Sequence, residues 1–405
     1  MNFLEIQDGI KPINDYPFEV VERKGLGHPD TLADGVAETI SVVYSKFCLE
    51  NFGVILHHNL DKIAFIGGKA RIGFGSGEMI EPARLILNGR MSDRFADQKI
   101  DFFEIQKQSA IDYLSKILPH FDPINFLEIL SLTNPFSHTS TWYRPRSIED
   151  VPDAKNPYAN DTSVCVAYWP LSYTEKLTME MERFFYQDGA PKFNFIGQDM
   201  KIMSVRKHSH IHVTMCIPFI CDYTPDASFY KEKEIELCSS LIEKATIVTE
   251  GKFDISIDIN TQDNNPFRYK PYLLATGTCL ECGEEGVVGR GNKVDGLISS
   301  MRPHSMEAAF GKNPVYHTGR VYGYLTNKLA RAIATQLNCE CNVFAITQNG
   351  GTLIPPYAIL VETSGQRERK ALENIVEKIL FSTDYVDALL FTDPIIPREV
   401  LARVE

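Results

Sequence analysis

Residues 271–320 form a long stretch in which apolar residues show little regular spacing. It is rich in glycine and in fixed charges, and it contains two compact motifs, Gly289-Arg290-Gly291-Asn292 and Gly311-Lys312-Asn313-Pro314. Glycine lets backbone N–H groups approach a ligand closely, while a neighbouring arginine and lysine suit phosphate. A loop this long in a folded domain is usually functional or disordered. Because regular segments flank it, we expect a functional loop, and a plain glycine-rich connector is the alternative.

A second motif lies near the start of the chain. A short strand at Phe18–Val21 is followed by Glu22 and then by Gly27-His28-Pro29-Asp30, after which apolar residues recur at helical spacing. Proline suits a first helical turn, so His28 and Asp30 are predicted at a helix N-terminus, where the N–H groups favour an anion. The pattern is typical of a phosphate-and-metal site. N-capping by Asp30 beside a solvent-facing histidine is the alternative.

Composition narrows the class of protein. The chain has 405 residues, 44% of them hydrophobic, and a formal net charge of −12, which argues against general nucleic-acid binding. We expect no signal peptide and no membrane span, and nine cysteines in mostly apolar segments indicate reduced thiols in the cytoplasm. Cys279-Leu280-Glu281-Cys282 with Cys339-Glu340-Cys341 matches a zinc site poorly, and ordinary thiol pairs are the favoured interpretation.

Strand and helix patterns recur in each third of the chain, which predicts an α+β fold of layered sheets and helices. We expect three domains: an N-terminal α+β domain at 1–135, a central one at 136–265, and a C-terminal one at 266–405 that carries both glycine motifs.

Several single polar residues are weaker candidates. Asp161 at a loop–strand junction suits a hydroxyl or an amine, or else an Asx turn. Asp199 and Lys201 are two apart in a predicted strand and share a face, which suits a ribose and a phosphate or a simple ion pair. Glu78 and Asp61 flank predicted strands and are either ligand carboxylates or surface charges.

Taken together, these motifs and single polar residues combine cations with carboxylates. This combination suits a nucleotide triphosphate bound with Mg²⁺. The chain lacks a P-loop, the protein-kinase motifs and a nucleophile elbow, and Gly289-Arg290-Gly291 lacks the strand–helix setting of a dinucleotide fingerprint. A nucleotide enzyme of another type is therefore expected.

Four blocks in order resemble the archaeal-type methionine adenosyltransferases, also called S-adenosylmethionine synthetases. They are Gly27-His28-Pro29-Asp30, Ala159-Asn160-Asp161-Thr162-Ser163, Gly289-Arg290-Gly291-Asn292 and the segment Ser305–Pro314, and the likeness extends from about residue 18 to 362. The resemblance implies three interleaved layered domains in a pseudo-threefold arrangement. It also implies a homodimer with sites at the interface, formed by residues of both subunits.

The resemblance implies a transferase that makes S-adenosylmethionine from ATP and L-methionine by attack of the sulfur on C5′ of ATP. The expelled triphosphate is then hydrolysed to pyrophosphate and phosphate. A thioether needs no general base, so positive charge around the leaving triphosphate is the main requirement. By similarity, the catalytic charges are His28, Lys201, Arg290 and Lys312.

The resemblance also assigns binding residues and cofactors. Asp161, Glu78 and Glu284 are expected on the methionine side and Asp199 at the ribose, with Glu22, Asn292 and Asn313 completing the substrate site. Mg²⁺ is expected at Asp30 and phosphate oxygens, and potassium is a further candidate near Asp61.

Two departures from the family pattern stand out. Glu284-Glu285 replaces a usual Asp-Asp, and Tyr316 replaces a usual asparagine. Either change would affect activity or substrate choice, for instance toward a methionine analogue, without removing a catalytic charge. A non-catalytic, nucleotide-binding regulatory subunit is the alternative from another class, and a generic ATP-dependent phosphotransferase is a third.

Overall fold

The structure is a computed structural model that describes residues 1–138, 141–153, 155–186, 192–264 and 270–395. The described helices, in chain order, are α1 (Pro29–Phe52), α2 (Phe102–Ile117), α3 (Tyr173–Tyr186), α4 (Ala227–Val248), α5 (Thr318–Leu337), α6 (Arg369–Ser382) and α7 (Tyr385–Asp387). The described strands are β1 (Leu4–Asp8), β2 (Phe18–Lys24), β3 (His58–Asn59), β4 (Ala64–Ile66), β5 (Lys69–Gly73), β6 (Ser76–Glu81), β7 (Ala83–Leu87), β8 (Arg90–Met91), β9 (Arg94–Phe95), β10 (Gln98–Lys99), β11 (Leu127–Ser131), β12 (Val164–Trp169), β13 (Lys201–Lys207), β14 (His210–Cys216), β15 (Phe219–Ile220), β16 (Asp254–Ile259), β17 (Leu273–Leu274), β18 (Gly286–Val287), β19 (Ile298–Ser299), β20 (Cys341–Ile346) and β21 (Ala358–Thr363).

Three larger sheets organise the molecule. The N-terminal sheet has the order β11-β7-β4-β18, the central sheet β16-β14-β13-β2-β19, and the C-terminal sheet β1-β21-β20-β12. Each begins with a parallel pair at one edge and continues with antiparallel pairings. The same pairing pattern thus occurs three times, which confirms the predicted α+β class.

Two helices are associated with each sheet. Helix α1 contacts the N-terminal sheet, α3 and α4 the central sheet and α5 the C-terminal sheet, while α2 packs on α1 and α6 on α5. The three largest buried apolar clusters match these layers, and they include Leu32 and Phe65, Ile202 and Tyr230, and Leu325. Each sheet therefore has a core of its own.

The three units are interleaved along the chain. Strand β2 belongs to the central sheet, yet the next helix, α1, packs on the N-terminal sheet. Strand β12 of the C-terminal sheet leads into α3 on the central sheet, and β18 of the N-terminal sheet precedes α5 on the C-terminal sheet. Each sheet thus supplies a strand whose following helix covers another sheet. The expected boundaries at 135/136 and 265/266 stay a prediction, and the second of them touches residues outside the described ranges.

Local signals explain the helix that matters most for the site. His28 is the N-cap of α1 and accepts a hydrogen bond from the Asp30 N–H, Pro29 occupies the first turn, and Gly53 ends the helix with φ 72°. Helix α3 begins with a capping box, in which Ser172 Oγ accepts from Glu175 N at 2.9 Å and Glu175 Oε2 accepts from Ser172 N at 2.7 Å.

The segment 271–320, here called the central loop, touches all three sheets. It adds β18 to the N-terminal sheet and β19 to the central sheet, and it ends at the start of α5 on the C-terminal sheet. Its lack of apolar periodicity follows from this path, because it crosses between layers instead of lying within one.

A buried network of charges joins the units near this loop. We call it the junction network: Glu19, Ser172, Glu175, Arg206, Arg302 and Glu340. Arg206 donates to Glu19 at 3.0 Å, and Ser172 Oγ donates to the same carboxylate at 2.6 Å. Arg302 donates to both oxygens of Glu175, at 3.0 and 2.9 Å, and also to Glu340. Every member is at most 8% exposed, so the network fixes the loop and two sheets relative to one another.

Candidate active site

One face of α1 holds the central loop by its backbone. Asp30, Asp34 and Glu38 are spaced four residues apart and therefore lie on the same side of the helix. Asp30 accepts from Val287 N at 2.9 Å, Asp34 from Gly289 N at 2.8 Å and Glu38 from Gly311 N at 3.0 Å. Both glycine motifs are thus fixed to one helix, by carboxylates about 6 Å apart along its axis.

At the start of α1 lies the His28 cluster, which we define as Glu22, Lys24, His28, Asp30, Lys201 and Glu284. Lys24 Nζ donates to Asp30 Oδ2 at 2.8 Å and to the carbonyl of Arg290 at 2.6 Å. The backbone of Arg290 is therefore held, while its guanidinium side chain is exposed. This places an exposed cation beside the helix N-terminus.

His28 is neutral in this setting. Its Nδ1 accepts from the Asp30 N–H at 3.2 Å, so the proton of the neutral ring resides on Nε2. Burial lowers the pKa of His28 to about 4, with Lys24 and Lys201 lowering it further and Asp30 opposing them. At neutral pH His28 is thus a hydrogen-bond donor through Nε2, and it differs in this respect from the positive charge expected from the sequence.

Lys201 and Glu22 face each other on neighbouring strands, with Nζ and Oε1 3.3 Å apart. The Lys201 side chain is 47% exposed and so remains accessible to a ligand. Burial raises the pKa of Glu284, Glu285 raises it further and Lys201 lowers it. The charges of the His28 cluster therefore act on Glu284.

Asp199 lies outside strand β13, which begins at Lys201, so the prediction that these two residues share a strand face is wrong. Asp199 is 4% exposed, and its Oδ2 accepts from Cys279 N at 2.6 Å. Burial raises its pKa to about 8, and Glu284 raises it further. Asp199 therefore holds the turn Cys279–Cys282 in this structure, and its contact with a ribose stays a prediction.

The second group is the Lys312 cluster, which we define as Asn59, Asp61, Ser163, Glu307, Lys312 and His317. Lys312 is 3% exposed; its Nζ pairs with Glu307 and lies 3.7 Å from Asp61. Ser163 Oγ donates to the other oxygen of Glu307 at 2.9 Å, which brings the Ala159–Ser163 motif to this cluster. In the described part of the chain, two buried polar atoms beside Lys312, His317 Nδ1 and Asn59 Oδ1, have no hydrogen-bond partner.

Asn292 and Asn313 support the loop backbone. Asn292 accepts from Lys24 N at 2.9 Å and donates to Lys24 O at 2.7 Å. Asn313 is fully buried, donates to Leu56 O and accepts from Val315 N, both at 2.9 Å. Both amide groups are thus engaged by the protein, and these two predicted binding residues set the positions of Arg290 and Lys312.

Two predicted binding residues, Asp161 and Glu78, belong to neither the His28 cluster nor the Lys312 cluster. Asp161 is exposed and accepts from Thr162 N at 2.7 Å, although its loop reaches the Lys312 cluster through Ser163. Glu78 is on the β5–β6 hairpin, 62% exposed and paired with Arg71 of the same hairpin. Their predicted methionine contacts remain untested.

Tyr316 is part of a buried aromatic cluster. Its ring is 7% exposed, and its hydroxyl lies 3.0 Å from His57 Nδ1. His57 also stacks on Trp142 with ring centroids 5.2 Å apart. The substituted residue is therefore built into the core beside the Lys312 cluster.

The carboxylates allow a simple test of the expected metals. Among the residues that the structure describes, no three His, Cys, Asp or Glu side chains converge into a ready metal cage. Asp30 has one donor on each oxygen, which leaves a lone pair on each for a cation that draws its other ligands from phosphate and water, as Mg²⁺ does. Asp61 already has Lys62 at 2.7 Å and Lys312 at 3.7 Å, so it fits a potassium ion poorly.

Lys24 and Glu307 were missed as site residues. Glu307 stands inside the segment Ser305–Pro314 and Lys24 stands three residues before Gly27. Nothing in their spacing indicates that Lys24 reaches Asp30 and Arg290 or that Glu307 orients Lys312. The site as a whole presents exposed and buried cations on a backbone rich in N–H groups. Such a site stabilises a polyanion, which places the chain among enzymes that act on a nucleoside triphosphate.

A model of the S-adenosylmethionine synthetase (AdoMet synthetase) family matches residues 5–388 of the chain. The chain belongs to the S-adenosylmethionine synthetase family, whose members generally use metal ions, and the resemblance of the four motifs is confirmed.

Similar proteins and a solved structure agree with this family assignment. The chain is 37% identical to the S-adenosylmethionine synthase of Methanocaldococcus jannaschii over 361 residues, covering 87% of each chain. It is also 37% identical to an uncharacterized protein of Streptococcus pyogenes serotype M3, covering 98% of each chain. An S-adenosylmethionine synthetase from Campylobacter jejuni has a similar fold, with a TM-score of 0.57, 15% identity, and coverage of 91% of this chain and 88% of that one. Across the described ranges, no helix has the length and apolar character needed to cross a membrane.

Proposed function

We propose that the chain transfers the adenosyl group of ATP to the sulfur of L-methionine and then hydrolyses the released triphosphate. The observation that carries the proposal is Lys312, an ammonium group that is 3% exposed and held at the end of a glycine motif. A lysine this buried is costly unless a matching charge is bound or paired. Its partners Glu307 and Asp61 hold it in place, and a triphosphate would complete its surroundings.

The chemical step needs charge more than proton transfer. A lone pair of the methionine sulfur forms a bond to C5′ of ATP, and the C5′–O bond breaks with its electron pair going to the triphosphate. The product is a sulfonium cation, and no proton is lost from sulfur. Water then divides the triphosphate into pyrophosphate and phosphate. Preorganised donors around the leaving oxygens lower the barrier, because they need no reorganisation at the moment of reaction.

The roles follow from the two clusters. Lys312, Lys201 and Arg290 supply positive charge to the triphosphate, and His28 donates through Nε2–H from the N-terminus of α1. Carboxylates of the His28 cluster, Glu284 among them, favour the sulfonium end and the methionine amine. Lys24, Asn292 and Asn313 hold the loop that presents these groups.

We propose Mg²⁺ as the metal, with Asp30 as its protein ligand. When bound, the ion neutralises charge on the triphosphate. Potassium at Asp61 remains a prediction.

The expected partners are ATP, L-methionine and a second copy of the chain. A homodimer with shared sites is the assembly that we propose. A cytoplasmic location agrees with free thiols at all nine cysteines.

The test is direct. Purified protein is incubated with ATP, L-methionine, Mg²⁺ and K⁺, and the products are followed by mass spectrometry and a phosphate assay. We expect S-adenosylmethionine with one pyrophosphate and one phosphate per turnover. Tight ATP binding without product would instead support a regulatory subunit. A phosphorylated acceptor would support a phosphotransferase.

The choice of amino-acid substrate is tested in a separate experiment. L-methionine and analogues with longer S-alkyl groups are compared by kcat/KM in wild-type protein and in Glu284→Asp. A preference for an analogue that Glu284→Asp reverses would assign the substituted position to substrate choice.

A further inference from the structure

Asp34 is a buried carboxylate that the proposed catalytic scheme leaves unused. It lies one turn after Asp30 on α1 and is 4% exposed. Its Oδ1 accepts from Gly289 N at 2.8 Å. A methyl group added at Gly291 would lie 2.1 Å from Asp34 Oδ2. The carboxylate therefore occupies the inside of the turn that carries Arg290.

Arg290 is thereby held on two sides. Asp34 fixes the residue before it, and Lys24 Nζ holds its carbonyl at 2.6 Å, whereas its guanidinium is exposed. We propose that Asp34 is a positioning residue whose acceptor oxygens set the place of the Arg290 guanidinium against the triphosphate. This inference rests on the proposed function, in which Arg290 contacts that group.

The surroundings of Asp34 show that it acts as an acceptor and not as an ion-pair partner. Asp30 faces it from the same helix, Lys293 from the loop and Tyr113 from α2. Burial raises the pKa of Asp34 to about 7. Both the ionised and the neutral carboxyl group keep an oxygen that can accept from Gly289 N. An asparagine of the same shape would keep the acceptor for Gly289 N but would turn an N–H₂ group towards Gly291, whose N–H also bonds to the carboxylate. Alanine and leucine would lose both acceptors.

The experiment is a double-mutant cycle of Asp34→Ala and Arg290→Ala, with kcat and KM for ATP measured in the full-length enzyme. Asp34→Ala is expected to lower kcat about 10- to 100-fold, since a displacement of about 1 Å at a reacting group costs this much. In the Arg290→Ala background the same change should cost less than about threefold, because both act through one group. Asp34→Asn, which keeps one of the two acceptors, should lose less kcat than Asp34→Ala.

Two further variants separate positioning from folding. Asp34→Leu keeps the side-chain volume without an acceptor and replaces Asp34→Ala in the cycle if the alanine variant is poorly folded. Asp263→Asn is the matched control, since Asp263 is also 4% exposed with a raised pKa but bonds to Tyr230 near the central core. It should change the midpoint of thermal unfolding and leave kcat unaltered.

Each result bears on the inference. Additive losses for Asp34 and Arg290, or a folded Asp34→Asn as impaired as Asp34→Ala, would overturn it while leaving the synthetase reaction intact. Full activity of Arg290→Ala would remove the role of Arg290 and the inference together. A wild-type protein that makes no S-adenosylmethionine would instead refute the proposed function.

Discussion

The junction network and the Lys312 cluster both contain buried charges, but they use them differently. In the junction network, Arg206 and Arg302 each donate several hydrogen bonds to carboxylates, and every member is at most 8% exposed. In the Lys312 cluster, the ammonium group pairs with Glu307 and stands 3.7 Å from Asp61, but two neighbouring buried polar atoms, His317 Nδ1 and Asn59 Oδ1, lack partners within the described residues. A fully bonded network of charges holds domains together, whereas a buried charge beside polar atoms without partners marks a place where a ligand can bind.

Breaking the junction network should have the largest effect. Arg302→Ala would leave Glu175 and Glu340 without their cation in a buried site, and we expect the free energy of unfolding to fall by about 3–5 kcal/mol. Urea unfolding measures the loss. Arg84→Ala, which removes an exposed pair with Glu128 at 3.0 Å, should cost less than about 1 kcal/mol. Equal losses in the two variants would contradict the structural role of the network.

Removing the charge of the Lys312 cluster should affect chemistry more than stability. Lys312→Ala is expected to lower kcat about 10²- to 10³-fold, as expected for a lost transition-state donor. Lys62→Ala is the control, because its side chain is 64% exposed and pairs with the same Asp61. If both lysine variants lose activity equally, the effect belongs to Asp61 and not to the buried ammonium.

The pH dependence of stability tests the raised pKa of the buried Asp34 carboxyl group. Burial raises the pKa of Asp34 to about 7 in the folded protein, well above its value in an unfolded chain. The folded state therefore binds a proton that the unfolded state has lost, and the stability due to this group falls as pH rises from about 4 to about 7. Asp34→Asn should become more stable relative to wild type between pH 5 and pH 8 in urea titrations. A constant or opposite difference would contradict the shift.

The smallest effect is expected next to the Lys312 cluster. Tyr316→Phe removes a buried hydroxyl 3.0 Å from His57 Nδ1 and should cost about 1–2 kcal/mol of unfolding free energy. We expect kcat to stay within about twofold of wild type, because the aromatic ring is retained. Tyr316→Asn, which restores the usual family residue, would show by its kcat whether the ring itself affects turnover.

Much of the architecture could be predicted from the sequence. The strand that starts at Phe18 and the helix that follows Gly27-His28-Pro29-Asp30 were predicted correctly, because apolar spacing and proline act locally. The family was also recognisable, since four motifs in a fixed order are specific even when each alone is weak.

Tertiary structure decided what spacing cannot express. The roles of Lys24, Asp34 and Glu307 depend on groups that are distant in the chain, such as the 255 residues between Asp34 and Gly289. The neutral state of His28 and the enclosure of Asp199 depend on burial, which no local pattern specifies. Sequence by itself determined which elements and charges exist. The packing of three sheets around the central loop determined which charges are paired, and a charge acquires its chemical role from the groups and solvent that surround it.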